Sequence, residues 1–155
     1  MSAAGNRTVA GRNGMTWPQM LALAIGAVYT LIGIIGFFIT GFDDFTAHTD
    51  ETLLGFSINP LHNVVHILIG VAGLALARRP GGARTYGWLL AVGYGATFVY
   101  GLFAAGKQEP LNFLNINWAD NWLHLVSALA GLRSPWGRFG TSSPAARHAP
   151  DPNAG

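Results

Sequence analysis

The sequence predicts an all-α integral membrane protein, a four-helix bundle made of two helical hairpins that repeat in parallel. Half of the 155 residues are apolar and only 10% are charged, whereas soluble proteins carry about a quarter charged residues. Four apolar runs are separated by short polar segments. The second and fourth runs share the pattern Asn-x-x-x-Asn-x-x-His-x-x-x-small-x-Ala-Gly-Leu, which starts at Asn59 and again at Asn117. A repeat of this kind indicates two related halves.

The four predicted spans cover about residues 20–40, 60–77, 86–105 and 117–132. The first run can cross roughly 30 Å of hydrocarbon and exceeds the apolar core of about 7–15 residues in a signal peptide. The fourth is the shortest, because its uninterrupted apolar stretch is only 122–132, and it needs its hairpin partner to insert. We therefore expect a transmembrane domain over 17–133, between a disordered N-terminus at 1–16 and a disordered tail at 134–155.

The charged residues are divided between two sets of loops. All eight arginines lie in the N-terminus, in or near a predicted tight basic turn over 78–82, or at the C-terminal end. The lysine and six of the seven acids lie in or beside the other two loops. The positive-inside rule then places both termini in the cytoplasm. Tails rich in Ala, Gly, Arg and Pro are typical of a high-GC bacterium, so we expect a multi-pass protein of the bacterial plasma membrane. The cytoplasmic arginines explain the basic pI, and we expect no nucleic-acid partner.

The repeated pattern predicts a polar face at the outer end of the second and fourth helices. Asn59 is a predicted N-cap with Pro60 as the first helical residue. Steps of three and four residues place the repeat's asparagines, histidine and small residues on one face of each helix. The residues that we expect to make interhelical polar contacts are Asn59, Asn63, Asn117, Asp120 and Asn121.

Parallel repeats imply a pseudo-two-fold axis along the membrane normal. We expect the second and fourth helices to face each other or to lie symmetrically about that axis. In the first and third spans, residues 23–26 resemble residues 90–93.

Three interpretations of His66 and His124 stay open. Each imidazole could hydrogen-bond a neighbouring helix, as buried polar groups in lipid require. The two could instead bind a metal ion, with His62 as a further ligand, or a b-type haem. They could also belong to a proton or small-ion path. The absence of cysteine excludes disulfides, iron–sulfur clusters and thiolate metal sites.

These observations predict a membrane component that is not an enzyme, and we assign no catalytic residue. The stripe of small residues on the second and fourth helices is suited to close helix packing. We expect the lipid bilayer as surroundings and another membrane protein or a second copy of the chain as partner, in a structural or accessory role. The alternatives are a metal- or haem-binding redox protein and a transporter or channel element with a His/Asn path.

The two Asn-x-x-His segments also carry a resemblance to a known family. The run from Asn63 to His66, followed by Gly70 and Gly73, and the run from Asn121 to His124 resemble the small actinobacterial membrane proteins of the domain of unknown function family 4383. The resemblance covers about residues 18–132. It implies a four-helix integral membrane protein and brings no activity, cofactor or substrate.

Overall fold

The computed structural model describes residues 14–108 and 110–134, and its main elements are four helices. They are α1 (Trp17–Thr40), α2 (Pro60–Leu76), α3 (Pro80–Ala104) and α4 (Trp118–Arg133). The expected all-helical architecture is confirmed for this part of the chain, apart from one small hairpin. The predicted disordered termini lie outside the described residues, except for their ends nearest the helices.

The hairpin lies in the loop between α1 and α2 and was not predicted. Strand β1 (Thr52–Leu53) pairs antiparallel with β2 (Phe56–Ser57). The two turn residues, Leu54 and Gly55, have positive φ angles of 57° and 88°. A type I′ turn requires positive φ at both central residues, and this turn is the one that matches the twist of a hairpin.

Asparagine side chains start the two helices that carry the repeat. The Asn59 side chain accepts a hydrogen bond from the backbone N–H of His62 at 2.9 Å, and Pro60 is the first helical residue, as predicted. Asn117 accepts from the N–H of Asp120 at 3.0 Å. Asp120 accepts in return from the N–H of Asn117 at 3.1 Å. This reciprocal capping box satisfies two donors that a helix start would otherwise leave unpaired.

The turn between α2 and α3 is shorter than the basic turn predicted over 78–82. Pro80 is the first residue of α3, because its missing N–H and fixed φ suit the first helical position. Gly81, Gly82 and Arg84 therefore belong to the first turns of α3. A Cβ on Gly82 would lie 2.5 Å from the carbonyl oxygen of Leu76, so a glycine is needed where the chain reverses.

Each helical hairpin is held together by direct backbone contact at small residues. In the first hairpin, a Cβ on Gly26 would lie 2.9 Å from the carbonyl oxygen of Gly70. In the second, a Cβ on Gly131 would lie 2.6 Å from the amide nitrogen of Ala91. The hairpins meet through α1 against α3 and α2 against α3. In the described part of the chain the backbones of α2 and α4 do not touch, so these two helices approach each other through side chains.

Among the described residues, two helices are long and apolar enough to cross a membrane. They are α1, with 24 residues and a mean hydropathy of 2.3 in its most apolar stretch, and α3, with 25 residues and 1.4. Helix α2 is also apolar but has 17 residues. Large apolar side chains on α1 and α3 point away from the other helices: Phe38 is 86% exposed and Val92 is 68% exposed.

Candidate functional site

The three histidines of the repeated segments come together in the interior of the protein. His62, His66 and His124 are 3%, 4% and 3% exposed. The first two lie one turn apart on α2, with ring centroids 4.5 Å apart. The ring centroids of His62 and His124 are 6.2 Å apart, across the interface between the two hairpins. The sequence therefore identified side chains that meet although their backbones do not.

Two tyrosines complete a closed loop of five aromatic rings, which we call the ring cluster (His62, His66, Tyr29, Tyr94 and His124). Tyr29 stacks on His66 with centroids 5.0 Å apart, and Tyr94 stacks on His124 at 5.3 Å. The two tyrosine rings stack on each other at 5.4 Å. Rings at this separation interact favourably through offset stacking. The ring cluster is thus one of the contacts through which the two hairpins hold each other.

Sequence reasoning missed Tyr29 and Tyr94, together with Ser127, whose hydroxyl lies 2.6 Å from that of Tyr29. The available signal was a polar hydroxyl in the middle of each of two long apolar helices. The weak match between residues 23–26 and residues 90–93 suggested a different alignment of the two helices, in which Tyr29 and Tyr94 are not equivalent. In the structure Tyr29 corresponds to Tyr94, and Gly26 therefore corresponds to Ala91. The sequence match of residues 23–26 with residues 90–93 was shifted by two residues from this structural correspondence.

The asparagines of the repeat pack against glycines of the neighbouring helix. A Cβ on Gly36 would clash with the side chain of Asn63, and a Cβ on Gly101 would clash with Asn121. Asn63 also donates a hydrogen bond to the hydroxyl of Thr40 at 2.9 Å. Both are buried. Asn63 thus makes a polar contact with α1, whereas Asn121 packs against α3 without a side-chain hydrogen bond in the described residues, so its predicted polar contact stays a prediction.

Other asparagines and one carboxylate tie the loop between α1 and α2 to the loop between α3 and α4. Asn59 donates to the carbonyl oxygen of Phe113 at 2.9 Å, and Asn115 donates to that of Ile58 at 3.0 Å. Asp120 accepts from the N–H of Ser57 at 3.1 Å. Asn117 donates to the carbonyl oxygen of Gly55 at 2.9 Å. Three of the predicted polar side chains, Asn59, Asn117 and Asp120, and a fourth, Asn115, therefore cross between the halves. Asn115 was not predicted, because it lies outside the repeated pattern.

The Nδ1 atoms of the three clustered histidines are buried and make no hydrogen bond within the described residues. No group of three His, Asp or Glu side chains in 14–108 and 110–134 is arranged to hold a metal ion. The assignment of His62, His66 and His124 as metal ligands stays a prediction. Tyr29 stacks on one face of His66 and Tyr94 on one face of His124, and a b-type haem held by these two histidines likewise stays a prediction.

The fold and the site define a class, an all-helical protein with at least two membrane-length helices and a buried His–Tyr centre. Within that class the family can be stated. The sequence model of the domain of unknown function DUF4383 matches residues 19–136, and the chain belongs to this family. No curated protein and no solved structure matches the chain.

Proposed function

We propose that the protein is a multi-pass component of the bacterial plasma membrane, a four-helix bundle with a parallel internal repeat and both termini in the cytoplasm. The length and composition of α1 and α3 support two of the crossings. Helices α2 and α4, with 17 and 16 residues, would each span about 25 Å at roughly 1.5 Å per residue. Each of them can still cross the membrane because it packs along a longer helix, α2 along α1 and α4 along α3. The distribution of arginines and acids supports the orientation.

We further propose a structural or accessory role without catalysis. The observation that carries this proposal is the cross-bracing between the halves, in which both hairpins and both outer loops hold each other through buried side chains. Such an arrangement makes a rigid unit. The glycines of the repeat pack inside the chain, so a membrane partner or a second copy would meet the outward faces of α1 and α3, where Phe38 and Val92 are exposed.

Cysteine labelling tests the topology, since the chain contains no cysteine. Asp50→Cys lies in the proposed outer loop and Arg78→Cys in the proposed cytoplasmic turn, and both positions are exposed. A membrane-impermeant maleimide should label Asp50→Cys in intact cells and Arg78→Cys only after permeabilisation. Val92→Cys, on the lipid-facing side of α3, is the matched control and should resist labelling in both conditions. Equal labelling of the first two variants, or recovery of the protein without the membrane fraction, would refute the proposal.

A second candidate function is binding of a transition-metal ion at the ring cluster. The observation that favours it is the group of three buried Nδ1 atoms without a hydrogen bond, because neutral imidazole is a common ligand for zinc and copper. Metal analysis and a visible absorption spectrum of the detergent-purified protein test it, beside the variant His66→Ala/His124→Ala. A stoichiometric metal that the variant loses would establish the site. A metal-free protein, also after incubation with zinc or copper, would rule it out.

A further inference from the structure

An apolar groove lies between α2 and α3, close to the short turn that joins them. Its volume is about 300 Å³. Leu68 and Leu89 line it and are 64% and 55% exposed, so the groove opens outward rather than into the bundle. The rings of Tyr86 and Tyr94 form part of its inner wall, but their hydroxyl groups are buried. A molecule in this groove therefore meets an almost wholly apolar surface.

Two exposed arginines lie at the end of this groove. Arg79 is the N-cap of α3, and Arg78 precedes it in the turn. Seven residues separate Arg79 from Tyr86, and seven more separate Tyr86 from Gly93; the latter two line the groove. Residues at this spacing share one side of a helix, so Arg79 lies on the side of α3 that faces the groove. Every acid of the described chain lies at the opposite end of the helices, and none of them neutralises this pair.

The depth of the groove matches one leaflet of a bilayer. Tyr86 and Gly93 lie six and thirteen residues after Pro80, which places them roughly 9 and 20 Å along α3 at about 1.5 Å per residue. A bilayer has about 30 Å of hydrocarbon within a total of about 40–45 Å. Each leaflet therefore has a head-group layer of roughly 5–8 Å and then roughly 15 Å of hydrocarbon. With a phosphate level with the turn, the groove lies at the depth of the acyl chain.

A groove at the other end of the helices has the opposite charge beside it. It lies between α1 and α2, has a volume of about 360 Å³, and Phe38 and Phe42 line it. Asp43 and Asp44 follow directly in the chain, and carboxylates repel an anionic head group. Both grooves have an apolar wall that suits an acyl chain. The charges beside them therefore distinguish the two, and they favour an anionic ligand only at the α2/α3 groove.

We propose that the α2/α3 groove and its two arginines bind an anionic phospholipid of the cytoplasmic leaflet, with one acyl chain in the groove and the phosphate against Arg78 and Arg79. This inference rests on the proposed membrane location. The planar guanidinium group binds phosphate through paired hydrogen bonds. Basic residues directly beside the cytoplasmic end of a membrane helix attract anionic lipids. The groove adds contact with the acyl chain, which turns this general attraction into a site for one lipid molecule.

The test uses the full chain in phosphatidylcholine nanodiscs, to which phosphatidylglycerol with a photoactivatable acyl chain is added. We expect saturable labelling of peptides from α2 and α3, which unlabelled phosphatidylglycerol displaces and additional phosphatidylcholine does not. Arg79→Gln should weaken binding about fivefold, the effect of one arginine near an anionic surface. Gly93→Leu should weaken it about tenfold, because its side chain enters the groove and removes contact with about two methylene groups of the lipid.

Two control variants make the same changes outside the site. Arg133→Gln removes one positive charge at the same end of the bundle, on α4, which does not line this groove. Gly95→Leu adds the same side chain at a position outside the groove, where a Cβ meets nothing within 4 Å, as at Gly93. Both should leave the labelling of α2 and α3 unchanged. Unfolding temperatures close to the parent's would show that each variant folds.

The proposal fails if phosphatidylcholine displaces the label as well as phosphatidylglycerol does, since the groove would then only contact bulk lipid. It also fails if Arg133→Gln weakens binding as much as Arg79→Gln, which would indicate a general effect of charge. Binding of Gly93→Leu equal to that of the parent, or a label that maps to the groove beside Asp43, would equally refute it. Cysteine labelling reports the membrane location independently, so failure of one proposal can be told from failure of the other.

Discussion

The α1–α2 hairpin and the α3–α4 hairpin place an asparagine at the same point, yet they surround it differently. Asn63 donates to the hydroxyl of Thr40. The position that corresponds to Thr40 in the second hairpin is Ala105, and neither side-chain polar atom of Asn121 has a hydrogen-bond partner within the described residues. In both hairpins a glycine of the preceding helix packs against the asparagine, while the residue at the end of that helix, Thr40 or Ala105, decides whether the amide group of the asparagine has an acceptor.

The next position of the repeat differs in the same way. His62 belongs to the ring cluster, whereas its counterpart Asp120 accepts hydrogen bonds from the N–H groups of Ser57 and Asn117. One half thus directs this residue into the interface between the hairpins, and the other directs it toward the loop between α1 and α2. The comparison teaches that the repeated sequence determines the position of a residue on its helix, whereas the surrounding residues determine which contacts its side chain makes.

The largest expected effect comes from the glycine contacts that both halves share. Gly131→Val would place a branched side chain where even a Cβ lies 2.6 Å from the amide nitrogen of Ala91. We expect α3 and α4 to separate and the protein to be lost from the membrane or to aggregate in detergent. Gly95→Val is the control, because nothing lies within 4 Å of a Cβ there. Equal expression and equal gel-filtration profiles for the two variants would contradict the close packing.

An intermediate effect is expected from the histidines. His66→Ala and His124→Ala each remove one ring from a stack and open a cavity between the hairpins. The expected loss is about 2–4 kcal/mol of unfolding free energy, similar to other large-to-small changes in a core. The two losses should be alike, because each histidine stacks on one tyrosine. Thermal unfolding in detergent measures them. Unchanged stability of both variants would show that the ring cluster does not hold the hairpins together.

The smallest expected effect comes from the asparagines Asn63 and Asn121, which have different hydrogen-bond partners in the two hairpins. Asn63→Ala removes the bond to Thr40, while Asn121→Ala removes no hydrogen bond that the described structure contains. We expect Asn63→Ala to be more destabilising by about 1 kcal/mol, the usual net value of one intramolecular hydrogen bond. Denaturant or thermal unfolding of the two variants gives this difference. If Asn121→Ala proved the more damaging, the two asparagines would not have the roles described.

The sequence predicted the parts of the site that depend on local patterns. Asn59 and Asn117 could be predicted as helix caps because capping depends only on the residue type and on the helical run that follows it. No distant residue is involved. His66 and His124 are both buried because they lie on the face that carries the small residues. Tyr29 and Tyr94 were not predicted. Each is a tyrosine within a long apolar run, and the sequence match between the first and third helices is weak. The β-hairpin at residues 52–57 was also missed, because its two strands are too short to show an alternating pattern.

The hydrogen bonds between the α1–α2 loop and the α3–α4 loop have a consequence for the order in which the chain folds during synthesis. The first hairpin is synthesised before Asn115 exists, and until then the carbonyl oxygens of Thr49 and Ile58 lack the donor that they share. The amide of Asn59 likewise waits for the carbonyl oxygen of Phe113. The first loop therefore closes only after the second has been synthesised. A chain truncated after α2 would leave these groups of the first loop without the partners that the second loop supplies.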